Sequence, residues 1–382
     1  MKKYYIALQL IGISNDILIK IIELLSEKEL KDLFENKNIL ELEFKYNIHM
    51  NNYIEKLSNK NFLMKILSDA ESVLEKNKLL GIRTIIFTSK YYPKRLKLIK
   101  NPPAIIYIKG RNILKSDEKS IACIGTRNPT SYGINVTKSI VTNLTKEKFT
   151  IISGLAYGVD KISHEISLKE NGRTIAVLAH GLDIMYPKEH YELSKSILEN
   201  GGTLISEYPV GTKADKFRFV QRNRIVSGLS AGILMVEAKE KSGTRHTVEF
   251  AIEQSKKIFV PVFNKFSFES GLNIELLKNK IAIPIQGDDD YIRILYELGY
   301  DLKYDKRMIN NLKNKKINLL LNDSFKNVNI NINDLKEFDS KLGVSINKDI
   351  YIRFKTILKD RDITVKDFLN SIILGIVNEE ER

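Results

Sequence analysis

The hydrophobic rhythm of the chain is helical over residues 1–80. Stretches such as DILIKIIELLSEKELKDLF and YIEKLSNKNFLMKILSDAESVLEK repeat apolar residues three and four apart, which lays one apolar stripe along an α-helix. A small helical domain is predicted there. The following segment, GIRTIIFTSKYYPKRLKLIKNPPAIIYIKG, offers a strand and then Pro93, Pro102 and Pro103, which favour extended chain or turns. From Ser120 to about Ile285 the rhythm changes. The short apolar runs SIACIGT, FTIISGL, RTIAVLAHGL, TLISEY, GILMVEA and KIFVPVF are separated by helix-length amphipathic stretches. This is βαβ patterning, and it predicts an α/β fold with a parallel sheet covered by helices on both faces.

In such sheets ligands bind beyond the carboxyl ends of the strands, so the residues after each run carry the functional reading. The first run is followed by GTRNPTSYG with Arg127, the second by SGLAYGVD with Ser153 and Gly154, and the fifth by AKEKSGT with Lys241. Glycine turns and helix N-termini next to cations suit phosphate, although strand ends need turns for structural reasons too. Between the fourth and fifth strands lies FRFVQRNR, Phe217 to Arg224. As an ordinary basic helix it would bury its phenylalanines and solvate its arginines. At a phosphate-binding rim, its arginine forks would grip phosphates and a phenylalanine ring would stack a base, which suits single-stranded nucleic acid. Neither a GxGxxG nor a GxxxxGK[ST] spacing occurs in these loops, so neither NAD nor ATP is indicated and no cofactor is predicted.

Charge supports an anionic partner. The formal charge is +14, with 19 Lys/Arg against 12 Asp/Glu in residues 1–110, 25 against 18 in 111–286, and 17 of each in the remainder. The excess lies on the first two segments, where nucleic acid, nucleotides or acidic lipid would be met, unless the lysines serve solubility alone. A length of 382 residues at 43% hydrophobic content is enough for two or three cored domains. No long uncharged apolar run and no signal-type cleavage site occur, so neither a membrane span nor export is expected, and the location is read as cytoplasmic. Cys123 is the single cysteine, which excludes an internal disulfide and a cysteine zinc site; its apolar run predicts a buried, inert thiol. Asp160, Glu207 and Glu237 stand at strand ends, where they either do acid–base work or hold loop amides and arginines. His164 and His246 have no metal-type partner at i+4, and satisfied polar contacts are expected for both.

The ordered set YPKRLKLIKNPPAIIYIKG, IGTRNPTSYG, SGLAYGVDKISHEISL, TIAVLAHGLDIMYPKEH, ISEYPVGT, FVQRNRIVSGLSAGILMVEA, KSGTRHT and SGLN, from Tyr91 to Pro284, resembles the DprA/Smf family of DNA processing proteins. The resemblance implies an extended Rossmann-like domain, taken here as residues 81–286, that binds single-stranded DNA without sequence preference, forms a homodimer and delivers the strand to the RecA recombinase during natural transformation. It also implies a non-enzymatic role. Carried onto this sequence, it assigns Arg127, Lys216, Arg222 and Lys241 to phosphates and Phe219 to base stacking, with Ser153, Gly154 and Asn223 completing the pocket. Arg224 either joins them or locks its helix to the sheet. Two departures are visible: Val262 follows Pro261 where the family has glycine, and Arg245 is an added candidate phosphate contact. A different class stays open. SGTRHTVE distantly resembles the PGGxGTxxE loop of the "lonely guy" phosphoribohydrolases and would place Glu249 near a ribose, but their double glycine is missing.

Beyond Gly287 an Asn/Lys-rich stretch, residues 287–339, reads as a linker. Residues 340–382 offer an alternating strand, a helix and a second helix opened by Thr364 and Asp367 in a capping box. This tail resembles half of a ribbon-helix-helix unit, which would need a second copy to cover its apolar side; a helical hairpin packed on the main domain is the alternative.

Overall fold

The computed structural model describes residues 1–35, 39–262, 270–286 and 290–300. Of the expected linker, residues 290–300 are described and Asp290–Glu297 is helical; the rest of the linker, the expected tail module and most of the loop after Val262 lie outside the described residues.

Six helices open the chain: α1 (Lys2–Ile11), α2 (Asn15–Leu24), α3 (Glu27–Phe34), α4 (Ile39–Tyr46), α5 (Ile54–Ser58) and α6 (Lys60–Leu79). Two strands follow, β1 (Arg83–Ile86) and β2 (Ile105–Gly110). The alternating part then runs β3 (Ser120–Ile124), α7 (Ser131–Lys146), β4 (Thr150–Ser153), α8 (Val159–Lys169), β5 (Thr174–Leu178), α9 (Tyr191–Glu199), β6 (Thr203–Ser206), α10 (Lys216–Leu229), β7 (Gly232–Met235), α11 (Thr244–Glu253), β8 (Lys257–Pro261), α12 (Gly271–Lys278), β9 (Ile283–Ile285) and α13 (Asp290–Glu297). All six apolar runs read from the sequence are strands, β3 to β8.

The nine strands form one sheet in the order β1-β2-β6-β5-β4-β3-β7-β8-β9. From β6 to β9 every pairing is parallel, while β2 is antiparallel to both β1 and β6. The proline-containing segment between the helical region and β3 therefore extends the sheet. Successive residues within a strand enter different cores, as the two-residue side-chain period requires. In β3, Ile121 and Cys123 pack with Ile140, Leu144 and Ile166 of α7 and α8, while Ala122 and Ile124 pack with Ile225, Val226 and Val248 of α10 and α11. In β2, Ile106 and Ile108 join the α10 side, and Ile105 and Tyr107 join a core shared with Ile6, Leu18, Leu33 and Leu63 of the N-terminal helices. That helical layer is tied to the sheet by polar contacts as well. Tyr107 Oη donates to Gln9 Oε1 at 2.7 Å, Gln9 Nε2 donates to the Glu207 carbonyl at 2.9 Å, and Asn15 Oδ1 accepts from Ala104 N at 3.0 Å.

Strand order reverses at β3, with β4 on one side and β7 on the other, so the crevice between the loops after β3 and β7 is the topological switch point of the sheet. Helix α10 crosses beneath this rim on its way from β6 to β7, packing against β5, β4 and β3. Its position fixes what its arginines can reach.

Candidate nucleic-acid interface

Three loops meet at the switch point. After β3, Thr126 N donates to the Glu237 carbonyl at 2.7 Å, and Thr130 gives the Glu237 carboxylate both its amide, at 2.8 Å, and its hydroxyl. Thr130 also caps α7 by accepting from Gly133 N. After β4, the Asp160 carboxylate accepts the amides of Gly154 and Ala156 at 3.1 and 3.3 Å, while Ser153 Oγ donates to the Cys123 carbonyl at 2.6 Å. Gly158, at φ 73°, lies so close to the Thr126 and Arg127 carbonyls that a Cβ would sit 2.3 Å from the first; the β4 loop can nest against the β3 loop only with glycine there. After β7, Thr244 Oγ1 returns to the Gly125 carbonyl at 3.1 Å.

The three rim carboxylates are therefore occupied by structure. Asp160 and Glu237 hold loop amides, and Glu207 makes a two-pronged ion pair with Arg224 at 2.7 and 2.6 Å, buried at both ends. Burial pushes the Asp160 carboxyl up, opposed by the nearby Arg222 guanidinium and the loop amides. The histidines are likewise engaged. His164 is fully buried, with Nδ1 2.6 Å from Thr174 Oγ1, and burial drives its pKa down to about 3. His246 pairs with Glu249 at 3.2 Å on one exposed face of α11. This uses the carboxylate that the phosphoribohydrolase reading assigned to a ribose. The Cys123 thiol is fully buried, and burial pushes its pKa up to about 12.

Helix α10 begins at Asp215, whose carboxylate accepts from Arg218 N at 2.9 Å and ion-pairs with the Arg218 side chain. Lys216 and Phe217 stand exposed in its first turn, Phe217 at 70%. Phe219 is half-buried and meets Tyr186, which is 49% exposed, with ring centroids 5.5 Å apart and planes tilted by 48°. Beside them Tyr157, also exposed, donates to Glu189 Oε2 at 2.6 Å and packs edge-on against His190. The rim thus carries an aromatic ledge fed by the loops after β4 and β5 and by α10. Tyr186 and Tyr157 were not singled out in the sequence, although both stand in quoted motifs, MYPKEH and LAYGVD; a tyrosine carries no phosphate signature and shows its role only once the loops are placed.

The expected site residues divide into two groups. Arg127 and Lys241 are exposed on the loops after β3 and β7, and Lys216 in the first turn of α10; the charge of Arg127 is felt by both Tyr157 and Arg222. Ser153 and Gly154 are buried in the floor, and Asn223 accepts from Arg222 Nε at 3.1 Å. Arg222 does not stand where a phosphate contact was expected. It is 5% exposed, its Nη1 donates to the Gly154 carbonyl at 2.6 Å and to the Val177 carbonyl, and its guanidinium fills the space a Gly154 side chain would need. It ties α10 to the ends of β4 and β5 and opposes the Asp160 charge. Arg224 takes the structural alternative: besides Glu207 it donates to the Asn101 carbonyl at 2.8 Å. Arg245 is not a spare cation either, since it grips Glu275 with two hydrogen bonds at 2.9 and 2.5 Å.

A family model described as DNA recombination-mediator protein A matches residues 83–295, which is more than half of the chain. The chain belongs to this family. It is 41% identical over 198 residues to the DNA processing protein DprA of Bacillus subtilis, a match covering 52% of this chain and 66%, just under two thirds, of that protein. Among solved structures it is similar to DNA processing protein A from Streptococcus pneumoniae, at 26% identity and a TM-score of 0.59, covering 77% of this chain and 98% of the other. It is also similar to DNA processing protein A from Helicobacter pylori, at 31% identity and a TM-score of 0.52, covering 57% and 97%. The description of that second structure concerns its single-stranded DNA binding mode. Among the described residues of this family member, no helix is long and apolar enough to cross a membrane and no cluster of His, Cys, Asp and Glu could hold a metal ion.

Proposed function

We propose that the carboxyl rim binds single-stranded DNA without reading its sequence and that the chain works in the cytoplasm, as a homodimer, as a mediator handing that strand to a RecA-type recombinase. The observation that carries this reading is the pairing of the Phe219–Tyr186 ledge with the exposed cations Arg127, Lys216 and Lys241 around the switch point. An exposed aromatic ledge can stack any base, and flexible cations follow any backbone. The ledge needs unstacked bases, so a duplex would meet only the cations. Binding without chemistry is supported by Asp160, Glu207 and Glu237, each already holding amides or an arginine. The family membership and the single-stranded DNA named for the Helicobacter pylori relative support the choice of partner.

Competition between labelled single-stranded and duplex oligonucleotides of equal length tests the first step. The reading expects preference for the single strand and little difference among sequences of equal length; equal affinity for duplex contradicts it. The handover is tested by following RecA filament nucleation on a single strand with and without the protein, and an unchanged nucleation rate contradicts mediation.

A further inference from the structure

The opposite pole of the sheet carries a second cationic cleft. It has a volume of 290 Å³ and lies at the amino-terminal ends of the parallel strands, between the segments around Tyr92 and Leu114. Its floor is apolar, built from Ile113, Ile152, Ile175 and Leu229, and its mouth holds Lys90, Lys94, Arg95 and Lys115. The carboxylates at the mouth are Asp117 and Glu118, and Asp117 is already neutralised within the fold: it accepts Arg173 Nε and Nη2 at 2.6 and 2.9 Å and Thr150 Oγ1 at 2.7 Å. Four cations thus face one carboxylate free of such an arginine. Tyr91, 50% exposed, stands at the mouth with the Lys90 ammonium 5.2 Å from its ring. Nearby, Lys256 donates to the Ser230 carbonyl at 2.8 Å, and burial together with the Arg95 charge pushes its ammonium down to about 8.

We propose that this cleft is a second ligand site, which takes a nucleoside 5′-phosphate with its base on the apolar floor and its phosphate on Lys94, Arg95 and Lys115. A volume at the small end of ligand pockets, which start near about 300 Å³, admits one nucleotide. Cations at the mouth fix the phosphate outward, and an apolar floor with an aromatic lip accepts a base where a bare inorganic anion would gain nothing. The same chemistry is offered by a free nucleotide and by the phosphorylated 5′ end of a strand.

Calorimetric titration of the full chain with deoxyadenosine monophosphate tests the site, using protein in which Arg127→Ala, Lys216→Ala and Lys241→Ala remove the rim cations. One saturable site is expected, weakened about tenfold or more (~1.4 kcal/mol) by adding Lys94→Glu and Lys115→Glu. Deoxyadenosine and inorganic phosphate, tried alone, are each expected to bind at least about tenfold more weakly than the monophosphate. Both replaced lysines are exposed, and an unchanged melting temperature shows that the fold is intact. Competition by a 5′-phosphorylated oligonucleotide assigns the site to strand ends, and its failure to compete assigns it to free nucleotide. Absence of binding, insensitivity to the two charge reversals, or preference for a fatty acid or an acidic peptide overturns the proposal. Rim function is read separately, from oligonucleotide affinity with Arg127, Lys216 and Lys241 intact, so either reading can fail alone.

Discussion

Arg222 and Arg224 are two residues apart on α10, and both point into the protein. Their motif suggests phosphate binding because arginine forks suit phosphate equally well in any exposed setting, and only the position of the β4 and β5 ends shows that Arg222 meets carbonyls first. Replacing Arg222 with alanine leaves two buried carbonyls without their donor and should cost about 3 kcal/mol or more of folding stability in urea titrations. Arg127→Ala, by contrast, should leave stability unchanged and lower DNA affinity, and the reverse pattern contradicts this assignment. Phe219→Ala should cost about 1 to 3 kcal/mol of single-strand binding. Tyr186→Ala should be non-additive with it because the two rings touch; strictly additive losses contradict a shared ledge. His164 gives a pH dependence. Thr174 Oγ1 donates to the Ile151 carbonyl, so it accepts from His164 Nδ1–H, and the buried Nε2 has no partner for a second proton. With a folded pKa of about 3 against the ordinary 6.5, the unfolded chain takes up the proton first. Stability is then full above pH 6.5 and falls as the pH drops toward 3, by about 2 kcal/mol at pH 5. His164→Asn, which keeps a donor but does not titrate, should remove that part of the acid sensitivity; an unchanged loss between pH 7 and pH 5 contradicts it.

Helix α10 brings the site together, and its start depends on one side chain. Asp215→Ala removes the cap on Arg218 N and should cost about 1 kcal/mol of stability, whereas Asp215→Asn should cost less, as measured by denaturant midpoints; equal losses would mean that the Arg218 ion pair, not the cap, sets the helix start. The strands β3 to β8 were legible because each is a short run rich in Ile and Val bounded by turns, buried on both faces. Strand β2 was harder to read, since IIYIKG follows two prolines and, besides β1, pairs antiparallel with β6, a partner almost a hundred residues later that joins the hairpin to the parallel sheet. Strand β9 spans three residues including Pro284, too little pattern for a period to register. The N-terminal helices showed their apolar stripes plainly. Nothing in a stripe names its partner, however, and Tyr107 and Ile105 of β2 supply it.

At the scale of the whole molecule, part of the positive excess read from the sequence on residues 1–286 gathers in two places. One is the carboxyl rim, with Arg127, Lys216 and Lys241 around the aromatic ledge; the other is the amino-terminal cleft with Lys90, Lys94, Arg95 and Lys115. Composition indicates the sign of charge that such places would attract, but the distribution between poles depends on which strand end each loop follows, and that is a property of topology. The central claim is that the rim cations hold phosphates of a single strand. Its most direct measurement is the salt dependence of binding to a labelled oligonucleotide, for the unaltered protein and for the variant carrying Arg127→Ala, Lys216→Ala and Lys241→Ala. Each lost phosphate contact should flatten the log–log slope by about 0.7, and the triple variant by about 2. A triple variant whose slope matches that of the unaltered protein would contradict the account.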